Sequence, residues 1–124
     1  MVGHIGKVLI VDDDADFREA LRRCLEIHGY VVMEAKDGLE AAMQLETIPC
    51  EAVITDYRMP RMDGLQLLAS MRRETHQTAV LLVSASMDEE DERRARAYGA
   101  HSVLRKPFDR WHLLEALRSA MHTA

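Results

Sequence analysis

Cysteine is scarce in this 124-residue chain, which has only Cys24 and Cys50. Two cysteines at that separation make neither a disulfide framework nor a metal spacing, so free thiols in a reducing compartment are expected. Long hydrophobic runs are lacking too, which excludes a membrane-spanning helix. The opening stretch MVGHIGKVLIV has no charged head or cleavage site of a signal peptide, and its apolar run leads straight into three aspartates. A cytoplasmic location follows as an expectation. Positive charge is not in excess, because the formal net charge is -5. That argues against direct nucleic-acid binding, which usually shows a basic face. It leaves room for a divalent cation, a basic partner or a small phosphodonor. The six histidines, at 4, 28, 76, 101, 112 and 122, are scattered without any HExxH-like pairing and read as surface or core residues.

No linker, low-complexity tract or charge block divides the chain, and its length fits one domain. A composition of 48% hydrophobic and 30% charged residues reads as soluble and globular. What the chain does contain is an alternation. Short β-rich runs stand at 7–11, 31–35, 52–56, 80–84 and 102–106. The first, third and fourth are almost continuously apolar, which suits strands covered on both faces of a parallel sheet. Helical spacing fills the gaps. Phe17, Leu21, Cys24 and Leu25 form one stripe, with Gly29 placed as a C-terminal cap. Leu39, Ala42 and Met43 form a second, Leu65, Leu68 and Met71 a third, and Leu113, Leu114, Leu117 and Met121 the last. Between them lies a polar helix from Asp88 to Tyr98, with Ser86 to Glu89 matching a capping box. Pairs Glu89–Arg93, Glu90–Arg94 and Glu92–Arg96 support it. Only Met87, Ala95 and Tyr98 could anchor it, so it reads as weakly attached. Five β-α units with right-handed crossovers imply an open α/β sheet with helices on both faces.

On that frame, the residues that interrupt apolar strands all fall at carboxyl edges. Asp12 and Asp13 follow strand one, Asp56 ends strand three, Ser84 ends strand four and Lys106 ends strand five. Ligands of such sheets bind at this edge. Three carboxylates brought together there repel one another and raise each other's pKa. Mg²⁺ would relieve that repulsion and leave coordination positions for a phosphate. A carboxylate beside the ion could then attack a phosphoryl group. A lysine and a hydroxyl would steady the transferring oxygens. The pattern points to acyl-phosphate chemistry.

The segments VLIVDDD, VITDYRMPRMDG, VLLVSA and RKPF, in this order and at these intervals, resemble the receiver domain of two-component response regulators, including its single-domain chemotaxis members. The resemblance covers residues 6 to 121, so the whole of 1–124 reads as one receiver domain. It implies a flavodoxin-like (βα)5 three-layer sandwich with a five-stranded parallel sheet in the order 2-1-3-4-5. Asp56 resembles the phosphoacceptor. Asp13 resembles the direct Mg²⁺ ligand, joined by Asp56 and the carbonyl of Arg58, and Asp12 the acidic residue that acts largely through water. Ser84 takes the place of the switch hydroxyl and Lys106 that of the phosphate-contacting lysine, with a commonly cis bond to Pro107. Met59, Pro60 and Gly64 match the loop after the acceptor, and Ala85 leaves room for a phosphodonor. The resemblance further implies a histidine kinase or histidine phosphotransfer protein as donor and a downstream effector or attached output domain as reader. It also allows a phosphorylation-dependent dimer, with no membrane partner. The protein would be a signalling phosphoacceptor rather than an enzyme, read through its fourth helix, fifth strand and fifth helix. The family often has Tyr or Phe three residues before the lysine. Val103 stands there, so the expected change is larger at the fourth helix than at strand five.

Blander readings exist for single residues. The aspartates at 12 to 14 could be helix-capping acids, Asp14 or Asp16 being the cap. Arg58 and Trp111 could be plain loop and helix-face residues. Two rival functions remain open. One is a receiver-like interaction module that works without phosphorylation. The other is a haloacid-dehalogenase-like phosphatase with Asp12 as nucleophile. The chain is short for that second family, and Asp56 would have no role in it. A flavin-binding flavodoxin fails for want of a hydroxyl- and glycine-rich loop after strand one.

Overall fold

A computed structural model describes residues 6–73 and 78–121. His4, His76 and His122 lie outside them. Five strands and five helices alternate: β1 Gly6–Val11, α1 Ala15–Ile27, β2 Tyr30–Ala35, α2 Gly38–Thr47, β3 Ala52–Asp56, α3 Gly64–Arg73, β4 Ala79–Ser84, α4 Glu89–Ala97, β5 Ser102–Arg105 and α5 Arg110–Met121. All pairings are parallel and the strand order is β2-β1-β3-β4-β5. The three continuous apolar runs therefore occupy the middle of the sheet, and the two mixed runs form its edges.

Side chains of a strand alternate between faces, and this parity builds two cores. Leu9, Val11, Val53, Val80 and Leu82 pack with α2, α3, Met87 before α4 and Ala95 within it. Val8, Ile10, Ala52, Ile54, Leu81 and Val83 pack with α1 and α5. Each fully buried aliphatic side chain stabilises the fold by about 1.5–3 kcal/mol over its exposed state. The same parity matters for the polar residues. Asp12 continues the series of Val8 and Ile10, Asp56 that of Ala52 and Ile54, and Lys106 that of Leu104. All three thus leave the sheet on its α1–α5 side.

The helix boundaries follow local chemistry, with some departures from the sequence reading. Asp14 caps α1, its carboxylate accepting from the Asp16 and Phe17 N–H groups, and Gly29 ends the helix at a φ of 94°. In α2 the buried residues are Gly38, Ala41 and Leu45, while Leu39 and Met43 of the expected stripe are exposed. The face is turned because Asp37, buried and capping α2, docks the helix start against the β3–α3 loop. In α5 the last core position is Ala120, with Met121 only half-buried. Cys50 is buried and Cys24 half-buried, both as free thiols.

The polar α4 departs most. Its N-cap is Asp88 rather than Ser86, in a reciprocal capping box with Asp91. Glu92–Arg96 forms at 3.3 Å as expected, whereas Arg93 pairs with Glu90, one residue nearer than expected. Met87 and Ala95 are buried, but Tyr98 is exposed and anchors nothing. Polar contacts take its place. Arg105 of β5 donates to the Met87 carbonyl and, at 3.1 Å, to Glu92. Asp91, itself buried, accepts at 3.1 Å from the hydroxyl of Tyr57.

Gly64 fixes the start of α3 for a steric reason. A Cβ there would fall inside the contact distance of the Asp56 carbonyl oxygen and 2.7 Å from a Leu82 methyl. Backbone and a core leucine cannot both yield, so Gly64→Ala is expected to cost about 1–3 kcal/mol by overpacking. A urea melt checks this, and an unchanged midpoint would contradict it.

Candidate functional site

The carboxyl edge of the sheet gathers the residues singled out in the sequence. Carboxylate oxygens of Asp12, Asp13 and Asp56 lie within 4.8 Å of one another. Asp12 is buried, Asp56 half-buried and Asp13 exposed, so the cluster opens to solvent on one side. The Lys106 ammonium reaches across from β5 to both, at 3.0 Å from Asp12 and 3.6 Å from Asp56. The ammonium itself lies over the ring of Phe17, 4.1 Å from the centroid, and that ring meets Phe108 edge-on. A cis bond joins Lys106 to Pro107.

Asp12 is held by the loop after β1. Asp12 accepts at 2.8 Å from the Asp14 N–H, and the Asp12 carbonyl accepts at 2.5 Å from Arg18, whose guanidinium also pairs with Glu34 of β2. Burial pushes the Asp56 carboxyl above its ordinary value, and the Asp12 charge adds to that rise. Lys106 and the backbone N–H groups of Tyr57 and Arg58 act the other way without cancelling it. Asp56 is therefore costly to ionise without a nearby cation. An all-oxygen donor set with one costly charge fits a hard divalent ion. The carboxylate oxygens available are those of Asp12, Asp13 and Asp56.

Ser84 is fully buried at the end of β4, one residue past the Asp56–Val83 register position. Its hydroxyl accepts at 3.2 Å from the Ser86 N–H. Ala85 lies beside it and shares an apolar depression with Phe17, Lys106, Pro107 and Phe108. The Arg58 guanidinium does not enter the cluster but turns outward over the Tyr57 ring toward Asp91 of α4. Val103 is half-buried against the core that holds Met87 and Ala95. Trp111 is exposed and meets His28 edge-on, so it packs on the helix surface.

Sequence reasoning missed the residues that brace the β3–α3 loop. Asp37 accepts from Arg61, which sits at a φ of 70°, and the Gly38 N–H donates to the Met62 carbonyl at 3.2 Å. The backbone N–H of Glu40 and the Arg61 charge hold the Asp37 carboxyl below its ordinary value. Asp37 could have been read as a helix cap before Gly38, but nothing local signals its pairing with Arg61. Among the described residues no helix is long and apolar enough to cross a membrane.

Comparison with known proteins agrees with this arrangement. The response regulator receiver domain profile matches residues 8–118. The response regulator MprA of Mycobacterium ulcerans is 38% identical over 116 residues, and that of Mycobacterium sp. strain KMS 39%. Each alignment covers 93% of this chain and 50% of the relative, so the chain spans about half the length of these proteins. Among solved structures, the receiver domain of the putative response regulator NarL from Mycobacterium tuberculosis superposes with a TM-score of 0.89 at 32% identity, covering 97% of this chain and 99% of that one. The chemotaxis protein CheY4 of Vibrio cholerae gives 0.85 at 31% identity, covering 92% and 97%. The topology is the flavodoxin-like one of these proteins, and their kind is a signalling domain rather than a catalytic one. With the sheet order, the acidic edge and these likenesses together, the chain belongs to the receiver-domain family of two-component response regulators.

Proposed function

We propose that the chain, as one receiver domain with its core over 6–121, accepts a phosphoryl group on Asp56 and passes the change to a face formed by α4, β5 and α5. The observation that carries this reading is the packing of three carboxylate oxygens within 4.8 Å, bridged by one lysine. Such a cluster stores repulsion unless positive charge and a phosphoryl group use it.

The donor would be a phosphohistidine of a histidine kinase or histidine phosphotransfer protein. An Asp56 oxygen attacks phosphorus, the P–N bond breaks, and the electron pair leaves with the imidazole, which takes a proton from water. Small donors such as acetyl phosphate would lose acetate instead. Asp13, Asp56 and the Arg58 carbonyl would hold Mg²⁺, with Asp12 acting through water. The ion would supply charge neutralisation for the phosphoryl oxygens. Lys106 would leave its position between Asp12 and Asp56 to pair with the phosphate. The domain thus assists its own phosphorylation and, with water as nucleophile, its dephosphorylation. This chemistry belongs to the cytoplasm, where phosphohistidine donors are charged.

Ser84 provides the route outward. Its hydroxyl accepts from Ser86 at rest, and turning it to donate to a phosphoryl oxygen gives that bond up. The loop from Ser84 to Met87 is then free to shift, carrying the Asp88 cap of α4. Val103 has no ring to swing, so the change at β5 is smaller. A downstream effector or an attached output domain would read this face, and a phosphorylation-dependent dimer could use it. Backbone amide spectra on adding beryllofluoride with Mg²⁺ test the reading. Shifts across residues 84–97, larger than those of 102–105, are expected. Shifts confined to Asp56 and its loop would contradict it.

A further inference from the structure

We infer that Asp91 and Tyr57 are positioning residues of the phosphoacceptor site, forming with Arg58 the link through which the site and α4 sense one another. This inference rests on the reading of Asp56 and its metal ligands just given. Three observations meet at Asp91. It is the third residue of α4, and its carboxylate accepts at 3.3 Å from the Asp88 N–H while its own N–H donates at 2.8 Å to the Asp88 carboxylate. It accepts at 3.1 Å from Tyr57, the residue directly after the acceptor, and both partners are buried. It also lies 3.5 Å from the guanidinium of Arg58, which is stacked 4.7 Å over the Tyr57 ring.

The same two residues face the site with their backbones. The backbone N–H groups of Tyr57 and Arg58 face Asp56 closely enough to favour its charged form, and the Arg58 carbonyl is the proposed metal ligand. One short segment therefore addresses the acceptor through its main chain and the helix cap through its side chains. Its other neighbours are rigid. The Tyr57 N–H is bonded to the Val83 carbonyl of β4, and the Tyr57 carbonyl to the Gly64 N–H. A shift of residues 57–58 toward a bound cation must then be felt first at Asp91.

Coupling between two sites is reciprocal. If the cation moves α4 through this link, cutting the link must change the affinity for the cation, and because the link holds residues 57–58 in place for the ion, the change is a weakening. Tyr57→Phe removes one hydroxyl and keeps the ring in its core. Asp91→Ala removes the acceptor but also half of the capping box, so it alone could act through the helix. The experiment is an amide-shift titration with MgCl₂ on the wild type, both single variants and the double variant. Tyr57→Phe is expected to weaken Mg²⁺ by about fivefold or more. The double variant should bind no more weakly than Asp91→Ala, since both cut one link and their effects do not add. Residues 88–97 should lose their response to Mg²⁺ in all three. A Tyr57→Phe affinity equal to that of the wild type, with α4 still responding, overturns the link while leaving the site reading intact. Wild-type protein that does not bind Mg²⁺ overturns both.

Discussion

Asp56→Asn is expected to abolish phosphoryl uptake from acetyl phosphate, while the wild type gains the mass of one phosphoryl group per chain in the presence of Mg²⁺. The effect should be near total, because the carboxylate is the attacking group. Removing the nucleophile of a serine protease costs about 10⁶ in rate. Asparagine keeps the shape of the side chain, so loss of uptake would not reflect loss of fold. Stability should in fact rise. The folded-state pKa of Asp56 lies above its ordinary value because of burial. A group raised in this way adds stability below its unfolded pKa and loses that contribution as pH climbs through the folded one. At neutral pH the ionised Asp56 is therefore a cost, which asparagine removes. The melting temperature of Asp56→Asn should exceed that of the metal-free wild type at pH 7. The gap should narrow toward about pH 4, where an ordinary aspartate protonates. A variant less stable than the wild type at pH 7 would contradict this electrostatic account of the site.

Mg²⁺ should stabilise the wild type, and Asp13→Ala should remove that effect. A ligand that binds only the folded state adds about 2.7 kcal/mol at a hundred times its Kd. For a domain of this size that is roughly 10 °C in melting temperature. Asp13 is the exposed member of the cluster, so alanine there leaves no cavity and opens no core. The metal-free melting temperature of Asp13→Ala should match or exceed that of the wild type, because one of three mutually repelling charges is gone. Asp56→Asn should blunt the Mg²⁺ response too, by removing a second ligand. A full response in Asp13→Ala would place the cation elsewhere.

How much of this was legible beforehand depends on what each feature is made of. The strands were legible because β1, β3 and β4 are buried on both faces, so their runs carry almost no polar residue. The acidic edge was legible for the same reason, since each polar residue stands out where an apolar run stops. The strand order came from the resemblance, since periodicity says nothing of neighbours. Four features escaped. The Asp37–Arg61 and Tyr57–Asp91 contacts join residues 24 and 34 apart, and nothing local marks either partner. The capping of α4 was read as Ser86 with Glu89, whereas the box forms between Asp88 and Asp91, whose carboxylate also meets Tyr57 and Arg58. In α2 the apolar stripe misled, because the buried Asp37 cap rotates the helix so that Ala41 and Leu45 face the core.

The reading of Asp56 as the acceptor can be put to one localising measurement. An aspartyl phosphate is reduced by borohydride to homoserine, which marks the modified position in a peptide map. The wild type, charged with acetyl phosphate and Mg²⁺ and then reduced, is expected to carry homoserine at position 56 alone, and Asp56→Asn none. Homoserine at position 12, persisting in Asp56→Asn, would contradict the receiver chemistry proposed for this site and make Asp12 the nucleophile.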